Sequence, residues 1–238
     1  EAVKTYANSG RLKDVNAVHN SIIETYREDF PKYIGARNLG RIQQVFNFAA
    51  RNVGKKVKYS HFSQDQQSSV IKTDIEILCM ARVIFLDIGL MNAISGMGIL
   101  SLTQFQDNVL INEGVMAEQF IGQHLQSLLA SSLNRELTYW LREGRSSNAE
   151  VDYVISLHGR IIPIEIKSGT SGSLKSLHQF VGEKSVEYAV RFDANQPSIQ
   201  EVQTSITQAK KLANVNYKLI SLPLYLVEQL PNIVKSIR

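Results

Sequence analysis

The chain has 238 residues, 44% hydrophobic and 20% charged, enough for one large or two small globular domains. A formal charge of +4 permits a nucleic-acid partner without requiring one, because a modest basic excess is common in proteins that never touch nucleic acid. The single cysteine, Cys79, excludes an internal disulfide framework and a cysteine-based metal site. Charged residues or Gln interrupt every apolar stretch well short of a membrane span. The opening Glu1-Ala2-Val3-Lys4 has no apolar signal segment and no initiator methionine. The expectation is a reducing, cytoplasmic setting, no membrane association, and a piece of a longer protein.

Leu12, Val15, Val18, Ile22, Ile23, Tyr26 and Phe30 recur at helical spacing and predict a helix from Arg11 to Phe30, ended by Pro31. A second helix is predicted from Leu39 to Val53, with Gly54 as its stop. After the basic turn Lys55-Lys56-Val57-Lys58 comes a short connection at 59–63. Ser68 or Ser69 then caps a third helix through about Met80, with Ile71, Ile75, Leu78 and Cys79 inward. Three helices followed by the extended run Arg82–Leu86 read as winged-helix-like, the third helix being the recognition helix. Its exposed face is expected to carry Gln67, Lys72, Asp74 and Glu76, a mixed charge that suits a protein partner at least as well as DNA. The small-residue-rich segment Asp87–Ser101 joins the halves, dividing the chain into a helical domain at 1–95 and a second domain at 96–238.

Helix resumes near Asn112, with Val115, Met116, Phe120, Ile121, Leu125, Leu128 and Leu129 apolar. Strands are predicted at Arg135–Arg142, Glu150–Leu157 and Arg160–Lys167. A Gly/Ser turn at 168–173 leads to a helix through Leu174, Leu177, Phe180 and Val181, then a strand at Tyr188–Phe192. If His158-Gly159 is the whole turn of the central hairpin, Leu157 faces Arg160 and Asp152 stands opposite Glu165, with Glu150 facing Lys167 on the same face. The other face would be Val151, Tyr153, Ile155, Ile162, Ile164 and Ile166. Opposed carboxylates are unfavourable unless compensated. A divalent cation is one compensation; a lysine or arginine bridge is the bland one.

Asp152 followed by Glu165-Ile166-Lys167 resembles the PD-(D/E)xK nuclease signature, and the order helix, three strands, helix, strand is similar to that family's core. The resemblance implies that Asp152, Glu165 and the backbone carbonyl of Ile166 hold Mg²⁺ or Mn²⁺; Mg²⁺ takes one or two protein carboxylates and keeps several waters. Lys167 would orient the attacking water or stabilise developing phosphate charge. Glu118, on the upstream helix, stands where several nuclease branches place a glutamate beside the metal. On its own, Asp followed by Glu-x-Lys is a common chance pattern, whose bland counterpart is a solvated polar face with a surface Glu–Lys pair.

A longer set of motifs runs in order through both halves: Glu1-Ala2-Val3, Tyr26-Arg27-Glu28-Asp29-Phe30, Phe85-Leu86-Asp87-Ile88-Gly89-Leu90, Gly114-Val115-Met116-Ala117-Glu118, Glu150-Val151-Asp152-Tyr153 and Pro163-Ile164-Glu165-Ile166-Lys167. Together they resemble the region that follows the ATPase module in a large group of prokaryotic AAA-type ATPases. There, a winged-helix-like section precedes a C-terminal domain of uncharacterised function with a restriction-endonuclease-like core. The resemblance implies a mixed α/β chain: a helical winged-helix-like domain, then a restriction-endonuclease-like domain with a central mixed sheet. It also implies Glu118, Asp152, Glu165 and Lys167 as the active-site set, DNA or RNA as substrate, and an ATPase module upstream in the full-length chain. The alternative is a non-catalytic module that grips nucleic acid or a partner protein and regulates the ATPase, since such folds persist with their chemistry lost.

Two departures stand out. The chain has no G-x-x-x-x-G-K-[ST] loop, and Gly182-Glu183-Lys184-Ser185 lacks the first glycine, so no nucleotide site is expected here. The family's wing, a longer excursion before Phe85, is missing between Val83 and Ile84, either deleted from this chain or skipped in the sequence. Other residues have plain readings. Trp140 belongs to the core of a central strand, and Gln179 is a solvated helix residue at a place where some nuclease branches carry a glutamine. The Lys55, Lys56 and Lys58 cluster is a solvated turn, Asp87 caps a turn before Gly89, and the histidines show no ligand spacing.

Overall fold

The computed structural model describes residues 1–34, 38–52, 57–63, 65–80, 88–94, 113–129, 137–142, 148–208 and 211–237. Backbone contacts divide the chain into two units, Glu1–Asn112 and Glu113–Arg238. The expected boundary at 95/96 lies outside the described residues, as do the run Arg82–Leu86, the Val83–Ile84 junction and Asp87.

The first unit is helical: α1 (Ala2–Ser9), α2 (Leu12–Ile34), α3 (Leu39–Arg51), a 3-10 turn (Tyr59–His61), α4 (Ser68–Met80) and α5 (Ile88–Ile94). Its core gathers the apolar stripes of α2 to α5, with Ile23, Phe30, Ile42, Val45, Phe46, Ile71, Leu78 and Leu90 buried together. The Phe30 and Phe46 rings meet edge to face at 5.4 Å. Three expectations change here. Pro31 lies inside α2, because only the last turn follows it and little of the hydrogen-bond ladder is left for it to break. The segment expected as a linker is helical over Ile88–Ile94, since Leu90 and Met91 bury against the bundle. Asp74 does not face solvent: it is 1% exposed and takes a two-pronged grip from Arg41, at 2.5 Å from Nε and 3.0 Å from Nη2.

The second unit is a six-stranded mixed sheet flanked by helices. In chain order it contains α6 (Glu113–Leu128), β1 (Thr138–Arg142), β2 (Ala149–Leu157), β3 (Arg160–Ile166), α7 (Lys175–Lys184), β4 (Tyr188–Asp193), β5 (Ser198–Gln208), β6 (Lys211–Pro223), a 3-10 segment (Leu224–Gln229) and α8 (Leu230–Ser236). The helix, three strands, helix, strand order expected from sequence is present, and β5, β6 and α8 extend it. The strands lie in the order β1-β2-β3-β4-β6-β5. β3 pairs β4, and β4 pairs β6, in parallel; the other pairings are antiparallel. The β3–β4 connection runs through α7, as a parallel crossover requires. The chain is thus mixed α/β, with helices in the first unit and a mixed sheet in the second.

Both faces of the sheet are covered. One core joins Ala117, Ile121 and Leu125 of α6 to Ile155, Ile162, Ile164 and Ile166, with Val227, Leu230 and Val234 from the C-terminal segments. The other joins Leu177, Phe180 and Val181 of α7 to Val151, Ala189, Ile206, Val215, Tyr217 and Leu219. The expected open polar face is therefore absent among the described residues, because α7 lies over it. Of the apolar residues expected on α6, Ile121 and Leu125 are buried together with Ala117, and Phe120, Leu128 and Leu129 pack against them. Trp140 sits on the edge strand β1, half-buried with its ring 5.3 Å from Phe180, and does not lie in a central strand.

Candidate functional site

The hairpin that carries the acidic residues turns on His158 and Gly159, both at positive φ (50° and 77°), as a two-residue turn with matching twist requires. That turn sets the register Leu157↔Arg160 through Tyr153↔Ile164. One step further the ladder ends. There the Ile166 N–H donates to the Asp152 carboxylate (2.7 Å). β2 is irregular at this point: Thr138 pairs with Val154 but Trp140 with Val151, so three steps of β2 match two of β1. A bulge of this kind re-aims side chains. It also moves Val151 into the α7 core, away from the face it was expected to share with Tyr153 and Ile155.

Glu165 is buried, at 5% exposed, because β3 is a central strand under α7. Its Oε1 accepts from Lys167 Nζ at 2.6 Å. Its Oε2 is buried and makes no hydrogen bond within the described residues. Burial, then the Asp152 carboxylate, raises the Glu165 pKa to about 7, although Lys167 opposes the shift. Asp152 is also raised, by burial first, while the Ile166 N–H and Lys167 favour its charged form. Glu118 reaches the same cluster from α6. Burial raises it to about 7, with further contributions from Asp152, Glu150 and Glu165. Hydrogen bonds thus tie Asp152 to the Ile166 N–H and Glu165 to Lys167 on adjoining strands, and Glu118 is coupled to these charges from α6. Glu150 is exposed at the rim.

Other residues shape the site without a signal that sequence reading registered. The Lys167 N–H extends the β3–β4 pairing by donating to the Phe192 carbonyl (2.8 Å). A Cβ on Gly172 would lie 2.7 Å from Lys167 Cδ, so any other residue there would make the lysine stem shift. Asp193, 1% exposed at the end of β4, lies 2.5 Å from Arg191 Nε and accepts from the backbone and side-chain amides of Asn195. Asn195 in turn donates to the Thr170 carbonyl at 2.8 Å, tying the β4 end to that loop. An Asp-Ala-Asn after a strand is a common turn sequence, so nothing in it marks this role.

The remaining residues singled out from sequence lie elsewhere. Gln179 donates to Glu183 and to the Thr207 carbonyl. His178 pairs with the Tyr217 hydroxyl at 3.0 Å, and His124 with Glu228 at 3.1 Å. Lys55 and Lys56 fall outside the described residues.

Whether the cluster suits a divalent cation can be tested on its donors. Among the described residues no group of three or more His, Cys, Asp or Glu side chains is placed to hold a metal ion. Mg²⁺, however, needs only one or two carboxylates, hard oxygen donors and remaining waters. Asp152 and Glu165 meet that need, and the buried Glu165 Oε2 has no hydrogen-bond partner among the described residues. Three carboxylates share the cluster with one lysine, so a cation would relieve charge that Lys167 alone leaves uncompensated. The residues fit the ion.

Residues 113–215 match the family described as Domain of unknown function (DUF4143), and residues 1–86 match Domain of unknown function (DUF8612). DUF4143 is a domain found in the C-terminal region of AAA-ATPase-like proteins. No curated protein matches the chain. No helix among the described residues is long and apolar enough to cross a membrane.

Proposed function

We propose that the second unit is a divalent-metal-dependent phosphodiesterase domain of the PD-(D/E)xK kind, acting on DNA or RNA. It would belong to the C-terminal region of an AAA-type ATPase whose nucleotide-binding module lies upstream. The observation that carries this reading is the convergence of Asp152, buried Glu165 and Glu118 around Lys167, with Glu165 Oε2 unpartnered. Asp152, Glu165 and the Ile166 carbonyl would hold Mg²⁺ or Mn²⁺, which supplies Lewis-acid polarisation of the phosphodiester and activation of water when bound. Lys167 Nζ donates a hydrogen bond to Glu165 Oε1 in the resting site. With substrate in place the same ammonium can turn to the phosphoryl oxygens and stabilise their growing charge. Glu118, protonated up to about pH 7, can give a proton to the leaving oxygen.

The test incubates the purified chain with single- and double-stranded DNA and RNA, with Mn²⁺ or with chelator. Metal-dependent cutting that disappears in Lys167→Ala and Glu165→Gln is the expected result. Cutting that survives in Lys167→Ala would come from a contaminant or another site. A second reading, a non-catalytic module that binds nucleic acid or protein and regulates the ATPase, has one observation in its favour: Lys167 already neutralises part of the cluster from within. Absence of both Mn²⁺ binding and cutting on every substrate would select it.

A further inference from the structure

Glu118 enters the cluster from a helix, and two residues with no role so far govern where that helix sits. The Tyr153 hydroxyl donates to the Glu118 backbone carbonyl (3.1 Å). Tyr153 follows Asp152 directly in β2, so one residue pair links the helix to the strand at the acidic cluster. Gly122 lies one turn further along α6 and is buried. A Cβ there would run into the Tyr153 hydroxyl and stand 3.0 Å from ring carbon Cζ. Real side chains do not approach so closely, so the phenol reaches the helix only because residue 122 is glycine. Glycine is a weaker helix former than alanine, a cost that the packing role of Gly122 offsets.

We propose that Tyr153 and Gly122 are positioning residues that set the register of α6 on β2 and thereby deliver the Glu118 carboxylate to Asp152. A helix slipped by one residue turns its side chains by roughly 100°, which would carry Glu118 out of the cluster and bring a neighbour in its place. The hydroxyl seated in the Gly122 notch blocks that slip, because a shift of α6 by one residue in either direction puts Ile121 or Gln123, each with a Cβ, against the phenol. Tyr153 touches neither metal nor substrate in this scheme; it acts through Glu118. The inference rests on the reading of Glu118 as a member of the site, but it can fail or stand separately from the metal chemistry.

The test is a two-by-two cycle of Tyr153→Phe and Glu118→Gln in the full chain, read by thermal unfolding at pH 8 in chelator and by Mn²⁺ binding. Removing the Glu118 charge relieves its repulsion with Asp152, so Glu118→Gln raises Tm in the otherwise wild-type chain. If Tyr153 holds Glu118 in place, that gain falls by at least half in the Tyr153→Phe background. Mn²⁺ affinity falls in Tyr153→Phe, because the Glu118 charge no longer stands beside the ligands Asp152 and Glu165, and no further drop appears when Glu118→Gln is already present. Equal Tm gains in both backgrounds would overturn the proposal, as would a Tyr153→Phe loss of Mn²⁺ affinity undiminished by Glu118→Gln. A chain that shows the Tm coupling but binds no Mn²⁺ would sink the metal reading and leave the positioning role standing. Gly122→Ala supplies a second variant: it lowers Tm, and lowers it less when Tyr153→Phe removes the hydroxyl it strikes.

Discussion

Among single residues, Glu118 and Glu165 stand out because burial and the Asp152 carboxylate hold both near pKa 7 rather than at 4.5. A folded-state pKa above the unfolded one means that the native chain binds more protons between those two values. Stability therefore falls as pH rises from about 4.5 to about 7, and the loss is complete above that window. At about 1.4 kcal/mol per pKa unit, the metal-free chain should lose on the order of a few kcal/mol between pH 5 and pH 8. Glu165→Gln removes one of the two groups, so it should flatten that decline and leave the variant more stable than the wild type at pH 8 in chelator. Denaturant unfolding across the range checks it; a stability that rises with pH through the window would mean the cluster is compensated by something other than protons.

Among elements, those with a clear period were legible. α2, α3 and α4 announce themselves by apolar stripes, and the β2–β3 hairpin by β-branched alternation around His158-Gly159. The hairpin arithmetic placed Asp152 beside Glu165 because a two-residue turn leaves no freedom of register. What escaped was whatever depends on a distant partner. α1 has no buried residue and gains its contacts from α2. In β5, Ile199, Val202 and Ile206 fall at helical spacing, and only pairing with β6 along its whole length makes the segment a strand. The bulge in β2 falls in Val151-Asp152-Tyr153-Val154, which has neither Gly nor Pro to mark it, so the side on which Val151 lies could not be counted.

The same blindness to partners hid the link between α3 and α4. Asp74 looks like a surface residue on a helix until Arg41 is seen over it. Its carboxylate is almost fully buried while the guanidinium is about one-fifth exposed, so removing the arginine strands a charge away from water. Arg41→Ala should therefore cost about 3 kcal/mol or more of unfolding stability. Replacing both partners by apolar residues of similar volume should cost much less, because no buried charge is left alone. Denaturant unfolding of the single and double variants separates the cases. A single variant as stable as the wild type would show that Asp74 finds another partner or takes up a proton.

At the scale of the whole molecule, the two units divide the proposed work unevenly: the acidic cluster lies wholly within Glu113–Arg238, and no phosphate loop occurs in the sequence. A ligand that binds only the folded chain stabilises it in proportion to the logarithm of its concentration over Kd, by about 2.7 kcal/mol at a hundredfold excess. Mn²⁺ bound between Asp152 and Glu165 should therefore raise the Tm of the full chain by several degrees, more at pH 8 than at pH 5, because the carboxylates must be ionised to hold it. Glu165→Gln should abolish most of that rise. ATP, tested at a fixed free Mn²⁺ concentration, should produce no rise of its own, since the sequence carries no G-x-x-x-x-G-K-[ST] loop. A thermal shift series with Mn²⁺, Mn²⁺ plus ATP, and chelator decides between the outcomes. A Mn²⁺ shift that survives Glu165→Gln would place the ion elsewhere on the chain. An ATP shift at constant free metal would mean that this portion holds nucleotide by a surface quite unlike a phosphate loop.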